Sequence, residues 1–162
     1  MSASVSTVPA KSVATSEVIM TELVLPQHTN MVGTCFGGTI LSWIDIAAGI
    51  CAGRHAGRTA VTVAFDDVEF HRPIRLGDIV NLRARIAYVG RTSMEIDVDV
   101  HRERMGGESE HTNTAHVAFV AVDFDGKPVP VPPLALESEE CRARNAAAIA
   151  RRNTRLGLGK EE

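Results

Sequence analysis

At 162 residues the chain is long enough for one domain with a real core and too short for two comfortable ones. Seventeen basic against twenty acidic residues leave a net charge of −3 with both signs scattered, and aromatics make up only 4%. That excludes the basic footprint and the stacking platforms of a nucleic-acid binder. Cys35, Cys51 and Cys141 are odd in number and irregular in spacing, which spells neither a disulfide framework nor a zinc pattern and points to a reducing, cytoplasmic compartment.

The opening "MSASVSTVPAKSVATS" lacks a basic stretch followed by an unbroken apolar run, so residues 1–16 read as a disordered lead-in rather than a signal peptide. No apolar stretch approaches the roughly 20 residues a membrane-spanning helix requires. Neither membrane nor nucleic acid is an expected partner.

The first strand is expected over Glu17 to Leu25, rich in apolar and β-branched residues and stopped by Pro26. A polar loop from Gln27 to Phe36 follows. From about Thr39 to His55 the pattern predicts a helix, apolar on nearly every face, which is the signature of a helix buried among other elements. Gly53 and Gly57 close it.

Four strand-like runs come next. In "TAVTVAFDDVEF" Val61, Val63 and Phe65 share one face, while Val68 and Phe70 continue in the opposite phase, predicting a bulge at Asp66 and Asp67. After the breaker-rich "HRPIRLGD", Val80, Leu82, Ala84, Ile86 and Tyr88 alternate with polar neighbours. In "TSMEIDVDVHRE", Met94, Ile96, Val98 and Val100 alternate with Glu95, Asp97, Asp99 and His101, predicting one buried and one wet face. Met105 to Gly107 mark a turn. The run "HTNTAHVAFVAVDFD" is apolar at both parities from Val117 to Val122, as in a strand covered on both faces.

"GKPVPVPP" ends regular structure. Leu136 to Arg152 reads as a terminal helix with glutamates early and arginines late, in the sense the helix dipole favours, before the fraying tail "NTRLGLGKEE". The expected architecture is α+β, one long antiparallel sheet curled around a single buried helix.

Asp45 stands out in that helix, because a carboxylate among apolar residues is costly unless paired, hydrogen-bonded or in use. Its i−3 and i+4 neighbours, Ser42 and Gly49, place it on the helix's one stripe of small or polar side chains. Gly37 and Gly38 precede the first turn, where free N–H groups and the positive end of the dipole can hold an oxyanion or a polarised carbonyl, and glycine permits close approach. Seven residues separate Gly38 from Asp45. At about 1.5 Å of rise per residue they lie too far apart for one carbonyl to touch both. If the two act together, the acid comes from a second subunit whose helix lies alongside in a two-fold arrangement.

Several ordered motifs now point to a family. A strand, then "N-x-x-G-x-x-F-G-G", an apolar helix with "W-x-D", "VTV", "F-x-R-P-I-x-x-G-D", "V-G-R-T-S-M" and a closing "G-K-P-x-P-V-P-P-L" resembles the hotdog-fold acyl-CoA thioesterases. The likeness is strongest to bacterial broad-range acyl-CoA hydrolases and to cytosolic and brain acyl-CoA hydrolases. It runs from Val18 to Leu134, within a domain bounded at residues 17–134, leaving 135–162 as a C-terminal helix and tail.

The resemblance implies a hotdog fold and hydrolysis of acyl-CoA to a free acid and CoA, with sites at the interface of a homodimer and a trimer of dimers as the assembly. It implies no separate cofactor, since CoA belongs to the substrate and product. It makes Asn30 and Asp45 a catalytic pair contributed by opposite protomers. Asp45 would serve as general base or as nucleophile, Asn30 would orient water or the thioester, and the Gly38 N–H would polarise the carbonyl. Arg91, Thr92 and Ser93, with Arg72 behind them, are the family-like candidates for CoA, since arginine and hydroxyl donors suit phosphates.

Other chemistries find less support. Cys35 has no histidine fixed beside it by sequence and reads as a packing thiol. The six histidines show no paired ligand spacing, and His111 and His116 differ in parity, which predicts opposite faces and no metal site. Arg142, Arg144, Arg151, Arg152 and Arg155 read as a solvated helix face. A hotdog hydratase would pair an acid with a histidine, and His55 is at the helix's far end. A non-catalytic acyl-CoA sensor would need an effector, and the lead-in shows no helix-turn-helix pattern.

Overall fold

The computed structural model describes residues 8–66 and 68–157. Its centre is a sheet built from β2 (Val18–Leu23), β3 (Ala60–Phe65), β4 (Ile79–Val89), β5 (Ser93–Glu103) and β6 (Ser109–Ala121). The spatial order is β2-β4-β5-β6-β3 with every pair antiparallel, so β2 and β3 are the edges. The sheet curls around α2 (Gly37–Ala56). This is the hotdog architecture expected from the sequence.

The core follows from the two periodicities. Val80, Leu82, Ala84 and Ile86 of β4, Met94 to Val100 at alternate positions of β5, and Ala115, Val117, Phe119 and Ala121 of β6 meet Ile40, Ile44, Ala47, Ala48, Cys51 and Ala52 of α2. Small residues on that helix stripe let it lie close to the sheet. Gly57 ends α2 in the left-handed conformation that glycine adopts freely, its N–H donating to the Gly53 carbonyl.

Two one-residue bulges alter the expected phases. An irregularity between Ile86 and Tyr88 leaves Ala87 unpaired and turns Tyr88 to the outer face opposite Glu95, under the Arg152 guanidinium, instead of into the core. A second lies opposite the Val100/His101 step, where Thr112 is the extra residue. It reverses parity within β6, so His111 and His116 share the outer face rather than facing opposite ways. The bulge expected at Asp66 and Asp67 is not there. The strand stops at Phe65, its irregularity falls between Thr62 and Ala64, and Val68 to Phe70 are irregular; Asp67 lies outside the described residues.

The outer face of β5 is not wet. The terminal helix α3 (Glu139–Arg155) packs on the neighbouring β4 and reaches across β5 through Arg151, and Glu95 and Asp97 are only 2% and 6% exposed. Ser138 caps α3 by accepting the Cys141 N–H, and Glu139 and Glu140 occupy its first turn. Only Ala148 of α3 is fully buried, so the helix is held largely by polar contacts, and its arginines are not a free solvated face. Arg151 reaches Glu95 at 3.0 Å and Asp97 at 3.4 Å, Arg85 bridges Asp99 and Glu140, and the Asn145 amide donates to the carbonyl that the bulge at Ala87 leaves over.

Residues 11–16, expected within a disordered lead-in, are ordered. Strand β1 (Lys11–Ser12) pairs in parallel with β7 (Leu134–Ala135), and the single turn α1 (Val13–Ser16) packs on α2. Lys11 Nζ donates to the carbonyls of Arg54 and His55, satisfying the C-terminal end of α2. Residues 1–7 and 158–162 lie outside the described residues.

Candidate active site

The loop before α2 folds on itself. Thr29 and Cys35 form an isolated antiparallel bridge, Gly33 turns the chain at φ +79°, and Cys35 N–H donates to the Ile74 carbonyl. The Asn30 side chain organises this turn: its Oδ1 accepts from Val32 N–H at 3.0 Å and Thr34 N–H at 3.1 Å, while its Nδ2 donates to Thr34 Oγ1 at 2.7 Å. Phe36 N–H donates to the His28 carbonyl, and the His28 ring stands edge-on to Trp43 of α2, so the loop is fixed over the helix's N-terminal end.

Gly37 and Gly38 are the first two residues of α2, and Phe36 at the N-cap offers no side-chain acceptor for their N–H groups. Around Gly38 the space a Cβ would occupy is open, whereas at Gly37 it faces the Phe70 ring at 3.4 Å. The helix therefore opens with uncapped donors at an unobstructed glycine, a local environment that suits a polarised carbonyl.

Asp45 sits two turns further along. It is half-buried, and Thr62 Oγ1 of the edge strand β3 donates to its Oδ1 at 2.6 Å. The stripe beside it is apolar yet open: Ile46 and Ile50 are about half exposed, and Val61, Val63 and Phe65 of β3 are exposed as well. The helix is thus not buried on every face, as its composition suggested. Thr62 was not singled out from the sequence. The alternation that put Val61 and Val63 on one face left Thr62 on the other, but its contact with Asp45 is a tertiary one.

The other candidates lie elsewhere in the protomer. Arg91, Thr92 and Ser93 form the β4–β5 turn, where the Arg91 carbonyl accepts from Val131 N–H, next to Pro132, whose carbonyl pairs with His55 Nε2 at the last turn of α2. They stand at the opposite end of α2 from Gly38, about 25 Å away for a helix of this length. Arg72 is exposed and lies 3.7 Å from Glu110. One protomer holds Asn30 in the closed turn of the loop that leads into Gly37 and Gly38, and brings Asp45 to Thr62, but it separates all of them from the Arg91 turn.

Among the described residues one grouping has the composition of a metal site. The donor atoms of Glu95, Asp97 and His116 lie within 4.8 Å of one another, but the Arg151 guanidinium supplies the positive charge there. Cys35 is buried, and burial raises its pKa, so it is held as an inert thiol. No described helix is long and apolar enough to cross a membrane, and all three cysteines are free.

Residues 32–108 match the thioesterase superfamily model. An uncharacterised acyl-CoA thioester hydrolase of Bacillus subtilis is 43% identical over 141 residues, covering 86% of this chain and 82% of that one. A crystal structure of an apo-hexameric acyl-CoA thioesterase superposes with a TM-score of 0.88 at 37% identity, covering 96% of this chain and 100% of that one. An acyl-CoA hydrolase from Staphylococcus aureus, solved with butyryl-CoA, CoA and CoA disulfide, gives 0.84 at 35% identity over 94% and 95% of the two chains. Further structures of the S. aureus enzyme carry alanine in place of an aspartate, an asparagine or a threonine. The chain belongs to the hotdog-fold acyl-CoA thioesterase family.

Proposed function

We propose that the chain hydrolyses fatty acyl-CoA thioesters to free acid and CoA, in a site shared by two copies: Asn30 and Gly38 of one protomer and Asp45 of its partner. The observation that carries this reading is the placement of Gly38 and Asp45 on one helix. They are two turns apart, and Asp45 faces an exposed apolar stripe bordered by an exposed edge strand. A second copy related by a two-fold axis near Ser42 covers that stripe and runs its α2 antiparallel, which sets the partner's acid against the uncapped glycines. The same operation brings the partner's C-terminal end of α2, and with it the Arg91–Ser93 turn, toward Gly38.

The chemistry then follows from the geometry. N–H groups of Gly37 and Gly38 polarise the thioester carbonyl and stabilise the oxyanion that forms on it. Asp45, oriented by Thr62, either takes a proton from a water that adds to the carbonyl carbon, or adds itself to give an anhydride that water opens. In both routes the C–S bond breaks: in the first, Asp45 returns the water's proton to the CoA sulfur, and in the second the sulfur leaves as thiolate and takes its proton from the water that later opens the anhydride. Arg91, Thr92 and Ser93 hold the CoA phosphates; Arg72 is the weaker contributor, since Glu110 competes for it. CoA arrives as part of the substrate, and no separate cofactor is needed.

Two further facts support the reading. The asparagine, aspartate and threonine replaced in the S. aureus enzyme follow one another with the spacing of Asn30, Asp45 and Thr62 in this chain. A hexameric relative of nearly the same length, and a shorter one, support an assembly of three dimers. Against a hydratase stands His55, buried and bonded to Pro132 at the wrong end of α2.

The test is thiol release across short, medium and long acyl-CoAs. Asp45→Ala is expected to cut kcat by about 100-fold or more while CoA binding is largely kept. Undiminished hydrolysis by that variant overturns the site, and no release from any acyl-CoA by the unaltered protein favours a ligand-binding sensor instead.

A further inference from the structure

The Asn30 carboxamide has four hydrogen-bonding positions, two acceptor lone pairs and two N–H groups. The turn uses three of them. Both lone pairs of Oδ1 are taken by Val32 N–H and Thr34 N–H, and one Nδ2 hydrogen is taken by Thr34 Oγ1 at 2.7 Å. Two backbone donors on one side and a hydroxyl on the other also fix which end of the amide is oxygen, so the group is not free to flip. A single N–H is left.

We infer that Thr34 is a positioning residue that orients the Asn30 carboxamide, leaving Asn30 only one way to act on the substrate, as a donor through its remaining Nδ2 hydrogen. This rests on the reading of Asn30 given above and narrows it. Asn30 does not accept a proton or a hydrogen bond from the attacking water. It donates to an oxygen, either of that water or of the thioester carbonyl, and in the second case it joins the Gly37 and Gly38 N–H groups on the oxyanion.

Thr34 is suited to the task by how it is itself held. Its carbonyl accepts from Asn30 N–H at 2.9 Å, and its backbone forms an isolated bridge with Arg75. Those contacts are all backbone and survive a change of side chain. Removing the hydroxyl alone takes away the acceptor that aims the Nδ2 group, loosening the tilt of the amide plane while the two bonds to Oδ1 and the turn remain.

Four variants separate the possibilities, read as kcat and KM for thiol release together with thermal melting. Thr34→Val keeps the shape and removes the hydroxyl; kcat is expected to fall about tenfold with KM little changed, and Thr34→Ser to recover it. Asn30→Asp keeps both acceptors for Val32 and Thr34, and the Thr34 hydroxyl can turn to donate to it, so the turn stays folded. Its carboxylate has no N–H, and kcat is expected to fall about 100-fold, as far as in Asn30→Ala. Thr34→Val with unchanged kcat beside an inactive Asn30→Ala overturns the positioning role and leaves the site standing. Asn30→Asp with retained turnover overturns the donor assignment. Full activity in Asn30→Ala removes the site reading itself, and the inference falls with it.

Discussion

A carboxylate proposed to attack or deprotonate needs one orientation, and among the described residues a single hydroxyl supplies it to Asp45. The Thr62 hydroxyl is the group that holds Asp45, at 2.6 Å across the gap between the edge strand and α2. A hydrogen bond to a charged group contributes about 1.5–3 kcal/mol. Thr62→Val is therefore expected to lower kcat by roughly tenfold or more, with Thr62→Ser close to the unaltered protein; steady-state thiol-release kinetics decide it, and an unaffected Thr62→Val would remove Thr62 from the mechanism. Asp45 was legible in the sequence because an acid in an apolar helix stands out against its neighbours. Gly37 and Gly38 were legible as a loop-to-helix turn whose first N–H groups a substrate could approach, and the neighbouring motifs singled them out more than the pair itself did. The hydroxyl that holds the acid was not, since its partner comes from a different element, and the saturation of Asn30 was not, since it depends on how the turn closes.

The helix α3 is held to the sheet by charge more than by apolar contact, and its stability follows the rules of partly buried ion pairs. Arg151 joins Glu95 and Asp97 while keeping a quarter of its side chain in solvent. Removing it strands buried Glu95 and leaves Asp97 with His116 at 2.8 Å, and Arg151→Ala is expected to cost about 1–3 kcal/mol, less than for a fully buried pair because solvent screens part of the charge. Urea unfolding measures it. The carboxylates themselves bend the pH curve in opposite senses. Desolvation holds Glu95 above its ordinary 4.5 against the pull of Arg151. Asp99 is also pushed upward by desolvation, but the Thr114 hydroxyl and Arg85 outweigh it and hold that carboxyl below 3.8. Glu95 thus contributes stability below pH 4.5 that is lost as pH rises through its raised folded value, whereas the Asp99 contribution is present above pH 3.8 and is lost as pH falls through its lowered one. Glu95→Gln is expected to flatten the first slope and Asp99→Asn the second in unfolding titrations across the acid range; unchanged slopes would contradict both assignments. Strands β4 and β5 were readable because their period of two runs almost unbroken. Ala87 and Thr112 hid the bulges because one inserted residue reverses the phase without any mark in composition, and the buried outer face was hidden because the residues that cover it come from the far end of the chain.

At the scale of the whole molecule, the exposed apolar edge is what most needs explaining. A strand edge carrying Val61, Val63 and Phe65 beside the open Ile46 and Ile50 of α2 is a pairing surface that a lone protomer leaves uncovered. Val63→Asp, at 56% exposure, leaves each protomer's own core untouched and would place like charges together in the proposed interface. It is expected to shift the protein toward monomers in sedimentation analysis and to abolish most thiol release in parallel. Monomers that keep full turnover would refute a site shared between copies.

The pairing of β1 with β7 carries a consequence for how the molecule comes into being. Lys11 and Ser12, among the first described residues, find their partners at Leu134 and Ala135, and the lysine that satisfies the end of α2 arrives with them. A chain emerging from the ribosome makes the apolar helix long before it makes β6, the strand that completes the wall around it. For most of its synthesis that helix waits in water, and contacts of such long sequence separation form slowly. The clasp of the two short strands can close only after β7 is made, when of the described elements only α3 is left to dock, so residues near the chain's start wait for residues near its end to find their place.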